Sequence, residues 1–497
     1  MRRMLRFAAP LSVLAALLAS PATAVGNPNP YYLESRWEFD PLFSGKPRPC
    51  APDATQCTGY WWRDTTNQNA LSQHTVDEFT DEIVTVYHDP VTDFAVHVYL
   101  TRRMSNVVVL TTPADYFVIG TGGSADEAAY VRSMFARTVP RFAMKVLRGV
   151  VLPDASEGST FGVHAWTGFH PVAVYASQSY EAVIQQRLLV SQARASRRGD
   201  VHGWNLPWGP DGMLGIGSGK EDPMATGSPP QPTTLISAPT DIYLAGHKIR
   251  LVPTTRLDAG LVIQLPDEGI VIAGMGKFFP ELNALLGPSI PALEWIGILD
   301  ELRQFSPSVL VPLRGWPVVG ASSAIAALLA QRDALQYVHD ETVRRSNDGA
   351  PLDEIVATLR LPDSLATHPW VQEFATIVPF VVRSTYEEYM GWFAGNPVDL
   401  ATTLTELARA EALVQVAGGA VELVTAARKA ELAAQSQADA EKALFLARAA
   451  YVYTFAKGSS SAPEAKAVYA QALKKNALMQ KSAHVRNYYL MEAMDLP

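Results

Sequence analysis

The sequence predicts an α/β domain followed by an all-α helical domain, and three patterns predict it. Between residues 83 and 119, short apolar runs alternate with turn residues at strand spacing. Residues 116–152 read as a strand, a helix and a strand, and residues 172–197 continue with a further strand and helix. From Ala440 onward, alanine and large apolar side chains recur at helical spacing instead.

Taken in order, the chain begins with Arg2, Arg3 and Arg6, an apolar run over residues 7–18, and Ala22-Thr23-Ala24 in the small-x-small form of a cleavage site. Residues 1–24 therefore read as an export signal, because the run is shorter than the ~20 residues a spanning helix needs. A retained anchor is the alternative, and Arg2-Arg3 leaves a twin-arginine or a general secretory route open. Either route places the protein outside the cytoplasm, secreted or in the periplasm or cell envelope. Residues 25–79, rich in Pro, Asn and aromatics such as Trp37, Trp61 and Trp62, read as an extended arm whose aromatics anchor it to a neighbouring surface or line a cleft. The chain has two cysteines, Cys50 and Cys57. In an exported protein a disulfide closing a small loop is the simplest use of them, with a pair of free thiols as the alternative.

Residues 80–345 form the expected α/β domain. Strands are expected at residues 83–87, 94–100, 106–112 and 116–119, a helix at 125–137 capped by Ser124, and a strand at 145–152. A strand at 172–176 and one helix over 178–197 follow, then a Gly-, Pro- and Trp-rich loop over 199–239 that either covers a site or runs over the surface. A helix is expected over 321–345, stopped by Asn347-Asp348-Gly349. With 497 residues, 48% of them hydrophobic, the chain can bury a large core in two or three domains. Lys+Arg 41 against Asp+Glu 49 gives a formal charge of -8, which offers no basic surface for nucleic acid.

The loop from Leu152 to Trp166, with Pro153-Asp154-Ala155-Ser156-Glu157-Gly158-Ser159-Thr160-Phe161-Gly162 at its centre, resembles the metal loop of the metallo-β-lactamase superfamily, specifically its alkyl sulfatase-like branch. The resemblance implies an αββα sandwich, two sheets face to face with helices outside, and a two-metal zinc hydrolase site. Laid residue by residue, the family's histidine places fall on Asp154, Ser156 and Ser159, and its aspartate place on Gly158. A later histidine place carries Arg256, the metal-bridging carboxylate place carries Met275, and the last histidine place carries Arg314 in Val-Pro-Leu-Arg-Gly-Trp-Pro-Val. The family's Asp-x-Gly turn, which braces the metal loop, is here Gly120-Thr121-Gly122, so that brace is expected to be missing. Zinc takes imidazole, thiolate or carboxylate, and of these places only Asp154 offers one. Recruiting other ligands, such as His164 or His170, would require a new geometry.

Residues 346–497 form the expected helical domain. Tyr389-Met390-Gly391-Trp392-Phe393-Ala394-Gly395-Asn396-Pro397 resembles the signature of the alkyl sulfatase dimerisation domain, and Asn487-Tyr488-Tyr489-Leu490 resembles its ending. The spacing is TPR-like, and the resemblance implies a homodimer. Gly391 and Gly395 are expected to permit close backbone approach, with Trp392 and Phe393 as anchors; Glu387 and Glu388 point about 100° apart and read as a solvated face.

The expected function is therefore an exported, dimeric, alkyl sulfatase-like protein without zinc or any other cofactor, a non-hydrolytic binding or scaffold protein. Arg256 and Arg314 bring permanent positive charge to the former metal places and suit an anionic or amphiphilic small molecule. Pairing of either arginine with Asp154 is the internal alternative. The competing expectations are a divergent hydrolase of sulfate esters using fewer or displaced metals, and a structural partner of itself or of an active relative.

Overall fold

The structure, a computed structural model, describes residue 71 and residues 81–496 apart from 102, 104, 169–170, 210, 220–227, 255–259, 275–277, 280, 283–290 and 401–403. The expected signal segment, the arm, and Cys50 and Cys57 lie outside the described residues.

Two sheets form the α/β part. The first has seven strands in sequence order: β1 (Glu82–Asp89), β2 (Phe94–Leu100), β3 (Val107–Thr111), β4 (Asp115–Ile119), β5 (Val146–Val151), β6 (Ala173–Ser177) and β7 (Thr234–Ile236). Strands β1 to β4 pair antiparallel, as a meander with short turns must, and β4 to β7 pair parallel. The second sheet runs β13-β12-β11-β10-β9-β8, from β8 (Thr240–Leu244), β9 (His247–Pro253), β10 (Leu261–Leu265), β11 (Ile270–Ala273), β12 (Val309–Pro312) and β13 (Val318–Val319). Its one parallel pairing joins β11 to β12 across the intervening helix α6 (Ala292–Gln304).

Side chains alternate across each strand and so define four layers. Phe94, Val96, Val98 and Leu100 of β2 meet Leu261, Ile263 and Leu265 of β10, Ile270 and Ile272 of β11, and Val309 and Val311 of β12 in the core between the sheets. The opposite face of the first sheet packs Tyr99, Val109 and Val118 against Val131 and Phe135 of α1 (Ala125–Thr138) and Val183 and Ile184 of α4 (Tyr180–Leu189). The opposite face of the second sheet packs Val262, Val271 and Leu310 against α6 and α7 (Ala321–Asn347). Ser124 caps α1 by accepting the Glu127 N–H, and Gly349, at φ 84, follows the end of α7.

Two expectations need correction. Residues 178–197 are not one helix: α4 ends at Leu189, Val190 leaves helical geometry, and α5 (Ser191–His202) begins anew. No Gly or Pro marks the break, and helix-forming residues stand on both sides of it, which is why the sequence hides it. The expected loop over 199–239 begins inside α5 and contains β7, and its Leu206, Met213 and Ile216 are core, packed with Leu490 and Met491.

The C-terminal part splits by packing. Helix α8 (Leu352–Thr358) and α9 (Val378–Met390) contribute Ile355, Val378, Val381, Val382 and Tyr386 to the outer core of the second sheet. A separate core joins α10 (Glu406–Ala417), α11 (Ala420–Ala433), α12 (Gln437–Ala456) and α13 (Ala462–Met479), in which Ala447, Ala450, Ala465, Val468, Tyr469 and Ala472 are buried. Alanine at these positions lets helices approach closely. The last helix, α14 (Ala483–Met494), packs on α13 and also on α5 of the α/β part.

Within the expected dimerisation signature, Glu387 and Glu388 are exposed. Nothing lies within 4 Å of a Cβ placed at Gly391 or Gly395, so close approach does not explain these glycines; φ values of 74 and 87 do. Trp392 is not an internal anchor, being 70% exposed with its ring edge against Phe393 at 5.7 Å.

Candidate functional site

Strand β5 is buried from Gly149 to Val151 and delivers Pro153 and Asp154 to the rim of the sandwich. The backbone there is tied across the two sheets: Leu261 N–H donates to the Pro153 carbonyl at 2.7 Å. Asp154 is 1% exposed, and its Oδ1 accepts from the Ser156 N–H and from the Ser159 hydroxyl, both at 2.7 Å. The Ser156 and Ser159 hydroxyls lie 2.8 Å apart, and the Thr160 hydroxyl donates to the Ser156 carbonyl at 2.7 Å. Three of the four places that the resemblance marks for ligands on this loop are thus brought together, as one hydrogen-bonded turn. Gly158 sits half-buried within the short helix α2 (Glu157–Thr160) that follows.

The brace expected to be missing is present in another form. Thr121 donates its N–H and its hydroxyl to the Ser159 carbonyl, at 2.7 and 3.1 Å. The Thr121 carbonyl in turn accepts from the Trp166 indole at 3.1 Å, and the buried Glu127 carboxylate accepts from the Gly123 N–H at 2.8 Å. A Cβ at Gly162 would stand 2.1 Å from the Thr121 carbonyl oxygen, so the loop and the turn after β4 meet backbone to backbone. The sequence showed the lost aspartate but not that a threonine could supply the same support from its hydroxyl and its own backbone.

Arg314 follows β12 and is 6% exposed, its guanidinium 4.8 Å over the Phe279 ring. The turn that carries it is held by Asn106, whose side-chain amide donates to the carbonyls of Pro312 and Gly315 at 3.2 and 2.8 Å while its oxygen accepts from the Thr101 N–H. Asn106 carried no motif and was missed by sequence reasoning. Arg256 and Met275 lie outside the described residues, as does His170. His164 is exposed on α3 (Val163–Thr167), turned away from the loop's buried polar groups.

A second group of polar side chains, unforeseen in the sequence, lies where α14 meets α5. His202 ends α5, and His484 stands in the first turn of α14; both are 8% exposed, with ring centroids 5.3 Å apart and ring planes 31° apart. Neither ring nitrogen of His484 has a hydrogen-bond partner among the described residues. Burial above all, then the charges of His202 and Arg314, push the His484 imidazole well below its ordinary value. Two residues on, Arg486 is fully buried and donates to the Gly212 carbonyl, and Asn487 donates to the Gly215 carbonyl at 3.0 Å. Thus the ending resembling the dimerisation domain clamps the 203–219 segment onto the body of the protein.

These residues do not fit zinc. The Asp154 oxygen that faces the loop is already occupied by two donors, serine hydroxyls are not among zinc's usual ligands, and among the described residues no group of three or more His, Cys, Asp or Glu is placed to hold a metal ion. What the arrangement offers is buried positive charge and N–H donors, suited to an anion.

Residues 351–497 match the alkyl sulfatase dimerisation family. The chain is 28% identical over 401 residues to a linear primary-alkylsulfatase of a Pseudomonas species, covering 78% of this chain and 73% of that one. It is 26% identical to an alkyl/aryl-sulfatase of Saccharomyces cerevisiae, covering 80% of this chain and 62% of that one. Among solved structures, the inverting sec-alkylsulfatase of a Pseudomonas species superposes with a TM-score of 0.75 at 20% identity, covering 87% of this chain and 68% of that one.

Proposed function

We propose that this chain, which belongs to the alkyl sulfatase-like branch of the metallo-β-lactamase superfamily, binds a sulfate ester or a related amphiphilic anion without hydrolysing it. The single observation that carries the reading is the state of Asp154: the one zinc-competent side chain among the former ligand places is buried and taken up by Ser156 and Ser159. Arginine cannot replace the metal chemically, because it does not lower the pKa of a coordinated water. It does retain the charge that recognises a sulfate head group.

The test is elemental analysis of natively purified protein together with an assay over a panel of alkyl and aryl sulfates, before and after incubation with zinc. The expected result is substoichiometric metal, no turnover in either state, and measurable binding of a short alkyl sulfate by calorimetry. Stoichiometric metal with chelator-sensitive turnover would establish instead a divergent sulfate-ester hydrolase, the reading favoured by the activity of the relatives.

The export expected from residues 1–24 extends this proposal to a protein outside the cytoplasm. The dimerisation domain supports a homodimer, and Trp392, exposed by 70%, suits a contact with a second copy. Trp392→Asp is expected to move the sedimentation of the protein from dimer toward monomer; an unchanged dimer would remove this contact from the interface.

A further inference from the structure

His339 lies on α7, 7% exposed, and both of its ring nitrogens are engaged. Nδ1 stands 2.8 Å from Oδ1 of Asp340, and Nε2 stands 2.9 Å from the hydroxyl of Tyr389 at the end of α9. A carboxylate only accepts, so Nδ1 carries the imidazole proton and Nε2 is left as an acceptor. The Tyr389 hydroxyl therefore donates to Nε2. The same Asp340 oxygen accepts from the Gln336 side-chain amide at 2.6 Å, one turn earlier on α7, which holds the carboxylate in place. The His339 and Tyr389 rings meet edge to face, with centroids 5.6 Å and planes 66° apart, so packing as well as the hydrogen bond fixes the phenol beside the imidazole.

Satisfying a buried histidine takes less than this. His97, in β2, is held by two neutral hydroxyls, those of Thr85 and Thr111. His339 instead stands between an acid and a phenol, in the order of orienting carboxylate, base and hydroxyl that activates a nucleophile, and both spacings fall within the roughly 2.6–3.2 Å reach of proton transfer. The nucleophile end is the accessible one, since Tyr389 is 50% exposed while the base behind it is buried. Burial above all, then the charges of Glu388 and Asp340, raise the Tyr389 phenol above its ordinary value, so it keeps its proton at neutral pH and needs a base to lose it. The same carboxylates disfavour an anionic reagent beside the hydroxyl and leave a neutral one as the better match.

We propose that Tyr389 is a nucleophile activated by His339, itself oriented by Asp340, and that it takes the acyl group of a neutral, activated carboxylic ester. The Tyr389 oxygen bonds to the ester carbonyl carbon while His339 Nε2 takes the phenol proton. The bond from that carbon to the leaving oxygen then breaks, and His339 passes the proton to the departing alcohol. The product is an acyl ester on Tyr389, and ester and tyrosine alone balance the step. The site shares no residue with the Asp154 loop and does not depend on the anion-accepting reading above.

The experiment is incubation of the full chain with p-nitrophenyl acetate, a neutral ester, and separately with p-nitrophenyl sulfate, followed by peptide mapping with mass spectrometry to time the modification of each tyrosine. Tyr243 and Tyr488, 58% and 41% exposed, serve as references within the same molecule. The expected result is acetylation of Tyr389 at least about tenfold faster than of either reference, a modest share of the roughly hundredfold that a positioned base supplies, and no sulfation. His339→Gln can still accept from the phenol but cannot take its proton, so it should bring Tyr389 down to the reference rate. In wild type the advantage of Tyr389 should fall in acid, as the imidazole takes up a proton; a contact that only holds the helices together would leave it flat. Near-UV circular dichroism checks the fold of the variant, and the comparison with Tyr243 and Tyr488 in wild type tests the proposal without any variant. The assay is run also on Trp392→Asp, so that a second copy cannot hide the hydroxyl. Tyr389 acetylated no faster than the references in both proteins overturns the proposal, as does an unchanged rate in a folded His339→Gln. Sulfation of Tyr389 as fast as its acetylation overturns the choice of a neutral ester.

Discussion

The loop around Asp154 and the junction around His484 are both buried, polar and built at the ends of strands or helices, yet they have opposite hydrogen-bond accounts. At Asp154 the carboxylate, two serine hydroxyls and a threonine form a closed set, supported from below by Thr121 and Trp166. At His484 neither ring nitrogen has a hydrogen-bond partner among the described residues, in a place that Ser482, Gly203 and Asn487 hold rigid. The difference teaches that burial alone does not decide whether a polar group is matched. The loop matches its polar groups within a few residues of one another, which matters because leaving them unmatched costs about 1–3 kcal/mol each.

The most damaging way to break this contrast is to disturb the closure of the first region sterically. Gly162→Val would drive a branched side chain into the Thr121 carbonyl oxygen and the Ala128 Cβ, which a single Cβ would already approach to 2.1 and 2.6 Å. Neither neighbour can swing aside, since one is backbone and the other lies in α1. A loss of about 3 kcal/mol or more, or failure to fold, is expected from overpacking of this kind. Urea denaturation measures it, and a loss below about 1 kcal/mol would mean the loop and the turn can separate without penalty.

Buried imidazoles sharpen the contrast through pH. His97, 7% exposed, has partners for both nitrogens in Thr85 and Thr111 at 2.9 and 3.1 Å, and burial lowers its pKa from 6.5 to about 4. His484 shifts in the same direction without partners. For either group the folded protein binds the proton less readily than the unfolded chain. Its stabilising contribution is therefore complete above about pH 6.5 and is lost as pH falls toward the folded value. For His97 the loss is on the order of 3 kcal/mol across that window, from roughly 1.4 kcal/mol for each unit of pKa difference. Stability measured from about pH 7 down to about pH 4 should fall less steeply in His97→Gln than in wild type. Equal slopes would show that His97 is protonated in the folded protein without strain.

Much of the sandwich was legible because its strands carry it locally. Residues 94–100 are an apolar run bounded by turns, and they form a strand with the expected bounds. Ser124 and its helix were equally plain. The break at Val190 was not, because no Gly or Pro marks it and helix-forming residues stand on both sides. The helix at Ala292–Gln304 and the strand at Thr240–Leu244 were also missed, the first behind a Pro-rich approach and the second because its outward residues are polar. At the site, residue types alone showed that Asp154 is the one zinc donor among the places the resemblance marks. The hydrogen bonds around it could not be read there, and neither could His202 and His484, which lie 282 positions apart and meet only through the seat of the last helix. Trp392 marks the limit from the other direction: the signature around it is specific, but its 70% exposure shows that whatever it packs against is not in its own protomer's core.

The finest test separates the members of the closed set. Asp154→Ala removes the acceptor for the Ser156 N–H and the Ser159 hydroxyl at once and leaves both donors in a buried loop, so it should cost about 2 kcal/mol. Asp154→Asn keeps a carbonyl oxygen at the same reach and should cost about 1 kcal/mol less than the alanine change. Ser156→Ala should cost the least, within about 1 kcal/mol, because Ser159 can still donate to Asp154 and the Ser156 position is half-buried, where water can substitute. Chemical denaturation of the three variants under one set of conditions gives the ranking. If the serine change proved as costly as the alanine change at Asp154, the hydroxyl pair and not the carboxylate would be what holds the loop shut.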